Sequence, residues 1–234
     1  SHVVLNHPQA STTQKIRIGV VGGSYPGALS SWFRMKYPQF AYASWSSSAP
    51  VYIKNNFTEY DDYVAYQLRL YSEECVANTR QVFNEAEALM KQNITKFRED
   101  FGFDETEEED DMTYALTDTF VSMIQYDSKL RLIPSFCDSQ KVPSYENLVS
   151  IVKKITTLLN QTVQECDLMN QLDDSLTSPY ASSRAWSYIT CNEVGWFQTA
   201  TGHLRPDSIN LQYFEKVCKK LFNIEHLPDE REKN

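Results

Sequence analysis

Four of the chain's seven glycines, Gly19, Gly22, Gly23 and Gly27, fall between residues 19 and 27. Glycine concentrates where a backbone turns tightly or approaches another backbone. Before them runs a short apolar segment, Ile16-Arg17-Ile18-Gly19-Val20-Val21. After them comes a helix-like stretch from Ala28 to Tyr37, closed by Pro38. Strand, glycine turn around a serine, helix: this is the setting of a nucleophile elbow. A serine hydroxyl is a weak nucleophile and must be presented sharply to a base and an oxyanion hole. Ser24 is the predicted nucleophile. The backbone N–H of Tyr25, at the helix start, is a predicted oxyanion donor. One position departs from Gly-x-Ser-x-Gly, because Pro26 stands two after Ser24 and the glycine comes next, at Gly27. Proline is tolerated in a first helical turn, where its missing N–H would be unbonded anyway.

A second strand is predicted from Phe40 to Ser48, with Pro50 breaking it. A strand–helix–strand unit this short implies a parallel crossover and part of an α/β sheet. From about residue 53 the pattern becomes helical. Val82, Phe83, Ala86, Leu89, Met90, Ile94 and Phe97 recur at three and four. So do Leu116, Phe120, Met123 and Ile124, and Leu148, Ile151, Val152, Ile155, Leu158 and Leu159. Such stripes bury one face of each helix. Asp207 or Ser208 is predicted to cap a last helix with Ile209, Leu211, Phe214, Val217, Cys218 and Leu221 on its apolar side.

The net charge of −9 argues against nucleic acid, whose ligands carry a basic face. No run of about 18 apolar residues could span a membrane. The first residues, Ser1 to Pro8, have neither the basic nor the apolar stretch of a signal peptide, so a secreted form would carry its signal outside this chain. The acidic run from Asp104 to Asp111 reads as a solvated loop entering the first turn of a helix. It lacks the spaced ligands and central glycine of a calcium loop. The five cysteines, Cys75, Cys137, Cys166, Cys191 and Cys218, contain no C-x-x-C pair, which disfavours a zinc knuckle or redox motif. No metal or cofactor is expected. Three glycosylation sequons occur, at Asn56, Asn93 and Asn160.

The words around the elbow carry a resemblance. Gly22-Gly23-Ser24-Tyr25-Pro26-Gly27-Ala28-Leu29, then Trp32 to Pro38, then Ser46-Ser47-Ser48-Ala49-Pro50-Val51, resemble the prolylcarboxypeptidase family of serine peptidases. That family includes dipeptidyl-peptidase II and the thymus-specific serine peptidase, and the proline after Ser-Tyr is most like the thymus-specific branch. A second block, Trp186 to Thr199, resembles the stretch after the family's cap. The resemblance implies an α/β-hydrolase fragment with a large inserted, mainly α-helical cap, mostly helical overall. Residues 1–52 would be partial hydrolase core, 53–182 the cap, and 183–234 a return segment. It also implies disulfides Cys75–Cys137 and Cys191–Cys218, with Cys166 left over, and a lysosomal or secreted protein.

The implied function is a serine exopeptidase that cleaves after proline near a peptide terminus, of either the X-Pro dipeptidyl-peptidase or the prolyl carboxypeptidase type. Trp186, Trp196 and Phe197 are candidates for a flat apolar proline pocket. Glu193 would meet a substrate amine or pair with Arg184. The catalytic acid and base have no match. His2 and His7 precede the serine, in the wrong order. His226 with Asp207 has the right order, and His203 also comes after the serine, but the family's Asp and His segments find no counterpart before Asn234. The chain alone is therefore expected to be inactive, working with the remaining segments of the enzyme or as a homodimer. Two other readings stand beside this one: a catalytically dead helical binding module, and an α/β-hydrolase esterase.

Overall fold

In the computed structural model, which describes residues 17–166 and 168–229, the glycine-rich segment forms strand β1 (Gly19–Gly23). It runs directly into helix α1 (Ser24–Lys36), and strand β2 (Ala43–Ser47) comes next. The strands pair in parallel, Gly19 opposite Ala43 through Gly23 opposite Ser47. This is the crossover expected of so short a unit. β2 starts later than Phe40 because the chain is still turning there: the Phe40 and Ala41 amides both donate to the Tyr37 carbonyl, at 3.0 and 3.2 Å. Gly27, Ala28 and Ser30 are the buried residues of α1. Val21 and Trp45, register partners on the sheet, remain 77% and 67% exposed. This unit extends to Ile53, and a second begins at Lys54.

The second unit opens with β3 (Lys54–Asn56), which pairs in parallel with β4 (Gly195–Phe197) far along the chain. Between them lie α2 (Thr58–Tyr71), α3 (Glu73–Gln92), α4 (Ile94–Phe101), α5 (Glu109–Gln125), α6 (Asp127–Leu130), α7 (Ile133–Ser139), α8 (Tyr145–Leu159) and α9 (Ala181–Ile189). Two 3₁₀ turns, Val163–Cys166 and Leu168–Leu172, lead to α9, and α10 (Leu211–Phe222) closes the unit. Helix boundaries obey local signals. The Asn93 side chain accepts from the Lys96 amide and separates α3 from α4, and Gly102 ends α4 in the left-handed conformation. Ser144 caps α8 in the same way, through the Asn147 amide.

The stripes read from sequence converge on one core. Leu68, Met112, Phe120, Phe136, Leu148 and Ile155 are fully buried there. Phe120 sits edge-on to Phe83 and Phe136, with ring centroids 5.3 and 4.9 Å apart. The Cys75–Cys137 disulfide ties α3 to α7 across 62 residues, a closure that stabilises by about 4 kcal/mol in the chain-entropy account. A smaller core gathers Phe197, Ile209, Tyr213, Phe214, Val217 and Leu221 around the Cys191–Cys218 disulfide. Cys166 belongs to neither bridge.

Two further local expectations fail. Leu158 is 51% exposed, at the fraying end of its stripe. The cap of α10 is Asn210, which accepts from the Tyr213 amide at 3.1 Å, not Ser208 or Asp207. Those residues are held one turn earlier, where the Ile209 and Asn210 amides bond back to Pro206 and Ser208. The acidic run does enter a helix, with Glu108 at the cap position of α5. Among the described residues, no helix is long and apolar enough to cross a membrane. Nor is any group of three His, Cys, Asp or Glu side chains placed to hold a metal.

Candidate active site

Ser24 is exposed, at the first position of α1, with φ +56°. A non-glycine residue in the left-handed region costs on the order of 1–3 kcal/mol and persists where its surroundings over-determine it. The surroundings here are backbone. Gly23 enters extended, at φ −118° and ψ 152°. A Cβ on Gly22 would overlap the Pro26 carbonyl. One on Gly27 would lie 2.9 Å from the Ala49 Cβ, 3.0 Å from the Gly22 carbonyl and 3.1 Å from that of Ser47. The glycines are therefore needed because strand end and first helical turn touch. Pro26 fits at the third helical position, where a backbone N–H would have no partner inside the helix. The Tyr25 amide lies at the N-terminus of a 13-residue helix, whose dipole favours developing negative charge.

Hydroxyls reinforce this turn from behind. Ser46 Oγ donates to the Gly27 carbonyl at 2.7 Å, and Ser30 Oγ lies 2.9 Å from the same oxygen. Ser46 Oγ is also within 2.9 Å of Ser30 Oγ and 2.8 Å of Ser31 Oγ. The sequence offered only a serine-rich strand as a signal for this cluster.

The candidate pocket residues belong to the second unit. Trp186 lies on α9, 42% exposed, and Trp196 is buried in β4. Their rings approach to 6.2 Å between centroids. Between them the chain makes a π-helical turn, Thr190–Val194, a form that recurs at functional sites. Gly195 and Trp196 then take positive φ, +67° and +59°. A Cβ on Gly195 would overlap Asn55 and the Lys54 carbonyl, because β3 and β4 run against each other there. Glu193 stands exposed on the π turn. Arg184 turns elsewhere, to the carbonyls of Gln171 (2.6 Å) and Leu221 (3.1 Å) and over the Phe222 ring. Phe197 stacks on Phe214 at 4.8 Å, inside the smaller core. The structure thus brings Trp186 and Trp196 together and places Phe197 in packing.

The histidine pair considered from sequence is not assembled as a dyad. Asp207 approaches Arg80 at 3.5 Å, and His226 is exposed beyond α10. His203 instead stands 3.7 Å from Asp62, both half-exposed. His2 and His7 lie outside the described residues. Asn56, Asn93 and Asn160 are all exposed. Asn93 uses its side-chain oxygen as a helix cap, and that of Asn56 accepts from Thr199 at 2.6 Å.

Sequence reasoning missed a buried charge network. Arg205 is fully buried, and its Nη2 donates to Asp118 and Gln198, both at 2.9 Å. Burial opposes its charge, but Asp118, Tyr114 and Asp61 outweigh that and hold its pKa above the usual value. Asp61, also fully buried, accepts from Thr201 and from the Arg205 amide. The network fixes the segment after β4 to α2 and α5. Nothing in local pattern marks an arginine as internal, because its carboxylate partners, Asp118 and Asp61, come from distant helices. On the surface, Lys216 and Lys220 both donate to Glu108, at 2.5 and 2.8 Å, and hold its carboxyl down at about 2.

The sequence matches the family described as serine carboxypeptidase S28 over residues 4–232. A putative serine protease of Caenorhabditis elegans is 28% identical across 86% of this chain and 44% of its own length. The thymus-specific serine protease of Mus musculus is 27% identical across 87% of this chain and 45% of its own. The lysosomal Pro-X carboxypeptidase of Bos taurus is 46% identical over 41 residues, 18% of this chain and 8% of its own. The chain thus spans less than half the length of these relatives.

Proposed function

The chain belongs to the serine carboxypeptidase S28 family, and from that premise we propose that it carries the nucleophile of a serine exopeptidase that cleaves after proline near a peptide terminus. The observation that carries this reading is Ser24 itself: exposed, at φ +56°, on a glycine turn between β1 and α1. Ser24 Oγ attacks the scissile carbonyl carbon and passes its proton to a base. The C–N bond breaks as the amine takes that proton, and water then hydrolyses the acyl ester. The Tyr25 amide stabilises the tetrahedral oxyanion. Base, acid and second oxyanion donor come from other parts of the full-length enzyme, since this chain spans less than half the length of such relatives. The bare β1–β2 face fits the same picture. Parallel sheets occur almost only with both faces covered, so this pair reads as part of a larger α/β-hydrolase sheet, with residues 53–182 as its cap and 183–234 as the return segment.

The exposed part of Trp186, backed by the buried Trp196, is the apolar surface this reading gives a proline ring, and Glu193, exposed on the π turn, is its candidate for a substrate amine. Two disulfides and three exposed sequons favour a lysosomal or secreted glycoprotein. The test uses the full-length enzyme with a fluorophosphonate probe, X-Pro amides and short esters. Labelling at Ser24 with turnover of the proline amides is expected. Absence of labelling would leave a helical binding role, and turnover of esters alone would make the protein an esterase.

A further inference from the structure

Behind the elbow, three serines stitch α1 to β2. Ser46 on β2 and Ser30 on α1 converge on the Gly27 carbonyl, at 2.7 and 2.9 Å, and Ser30 also reaches the Trp45 carbonyl at 3.1 Å. Ser31 Oγ meets Ser46 Oγ at 2.8 Å. Each hydroxyl has one proton to give and lone pairs to accept with. One assignment uses all three: Ser31 donates to Ser46, Ser46 to the Gly27 carbonyl, and Ser30 to the Trp45 carbonyl. A chain of this kind strengthens by mutual polarisation. Gly27 lies three residues after Ser24, in the same helical turn, and its backbone is already against Gly22 and Ser47. The network therefore joins the turn that must stay strained to the strand end it must stay against.

We infer that Ser46, assisted by Ser30 and Ser31, is a positioning residue for Ser24: its hydroxyl anchors the Gly27 carbonyl and so keeps the elbow in the left-handed conformation that presents the nucleophile. This rests on Ser24 being the nucleophile. A side chain that only filled space there would need no hydroxyl. One that orients the turn would, and small displacements of a reacting atom cost rate steeply.

The experiment uses the full-length enzyme with Ser46→Ala, Ser46→Thr and, as a control on the same strand, Ser44→Ala. The measurements are the rate of fluorophosphonate labelling at Ser24, kcat and KM on a proline amide, and Tm. Ser46→Ala should label and turn over about ten- to a hundredfold more slowly, with KM and Tm close to those of the unsubstituted enzyme. Ser46→Thr should recover most of the rate, and Ser44→Ala should change nothing. Ser31→Ala, at the outer end of the chain of hydroxyls, should slow labelling less and in the same direction, which provides a reading even where Ser46→Ala folds poorly. An unchanged rate in both alanine variants would overturn the inference. So would a Ser46→Thr form as slow as Ser46→Ala with Tm lowered in both, since that is packing. Failure of the unsubstituted enzyme to label would instead remove the nucleophile reading on which the inference stands.

Discussion

Around Ser24, the buried apolar residues are Ala28, Ala41 and Ile53, while Val21, Met35, Phe40, Tyr42 and Trp45 lie open. In the helical unit Leu68, Phe120, Phe136, Leu148 and Ile155 are fully buried with the Cys75–Cys137 disulfide beside them, and a second disulfide, Cys191–Cys218, crosslinks the smaller core. The first region is shaped by backbone touching backbone at Gly22 and Gly27, with hydroxyls filling the seam. The second is shaped by side-chain burial, which supplies most of the stability of any domain. The strained turn and most of the buried core thus reside in different parts of the chain, and each should fail in its own way.

The largest effect should come from Ser24→Ala in the full-length enzyme. Turnover should fall about a millionfold, as when a catalytic serine is lost, with urea unfolding unchanged. Residual activity near that of the unsubstituted enzyme would break the comparison outright. Removing Cys75 and Cys137 together should do the reverse. Unfolding should lose about 4 kcal/mol, while the labelling rate of Ser24 under native conditions holds. Gly22→Ala sharpens the contrast, because one methyl group there meets the Pro26 carbonyl. Labelling should fall about a hundredfold, although hardly any core is touched.

The smallest effect concerns Glu108, which joins α5 to α10 through Lys216 and Lys220. Its carboxyl is depressed from 4.5 to about 2 by those two hydrogen bonds. A depressed carboxyl contributes stability above its unfolded pKa and loses it as pH falls through the folded one. Glu108→Gln should therefore cost less than about 1 kcal/mol at pH 5 and pH 7 alike, since the pair is half-exposed. The difference from the unsubstituted protein should vanish between about pH 4.5 and pH 2.

Local chemistry was readable in advance where neighbours in sequence are neighbours in space. The strand–turn–helix around Ser24 and the helical stripes are of that kind, for a glycine cluster and a 3.6-residue period act within a few residues. Ser208 and Asp207 show the limit: both are good caps, yet the turn closed by the Ile209 amide hands the role to Asn210. Phe197 shows another, since an aromatic beside Trp196 could as easily line a pocket as stack on Phe214.

By itself, the sequence determined the elbow, its serine and the helical character of the chain beyond residue 57. Only the tertiary structure decided that β3 meets β4, that Arg205 is internal among Asp118, Gln198 and Asp61, that Trp186 pairs with Trp196, and that Ser46 reaches the Gly27 carbonyl. Each of these depends on the chain folding back on itself, across 140 or more residues for β3 with β4 and for Arg205 with Asp61. Their energies arise from burial and hydrogen-bond geometry that exist only after the chain has closed on itself.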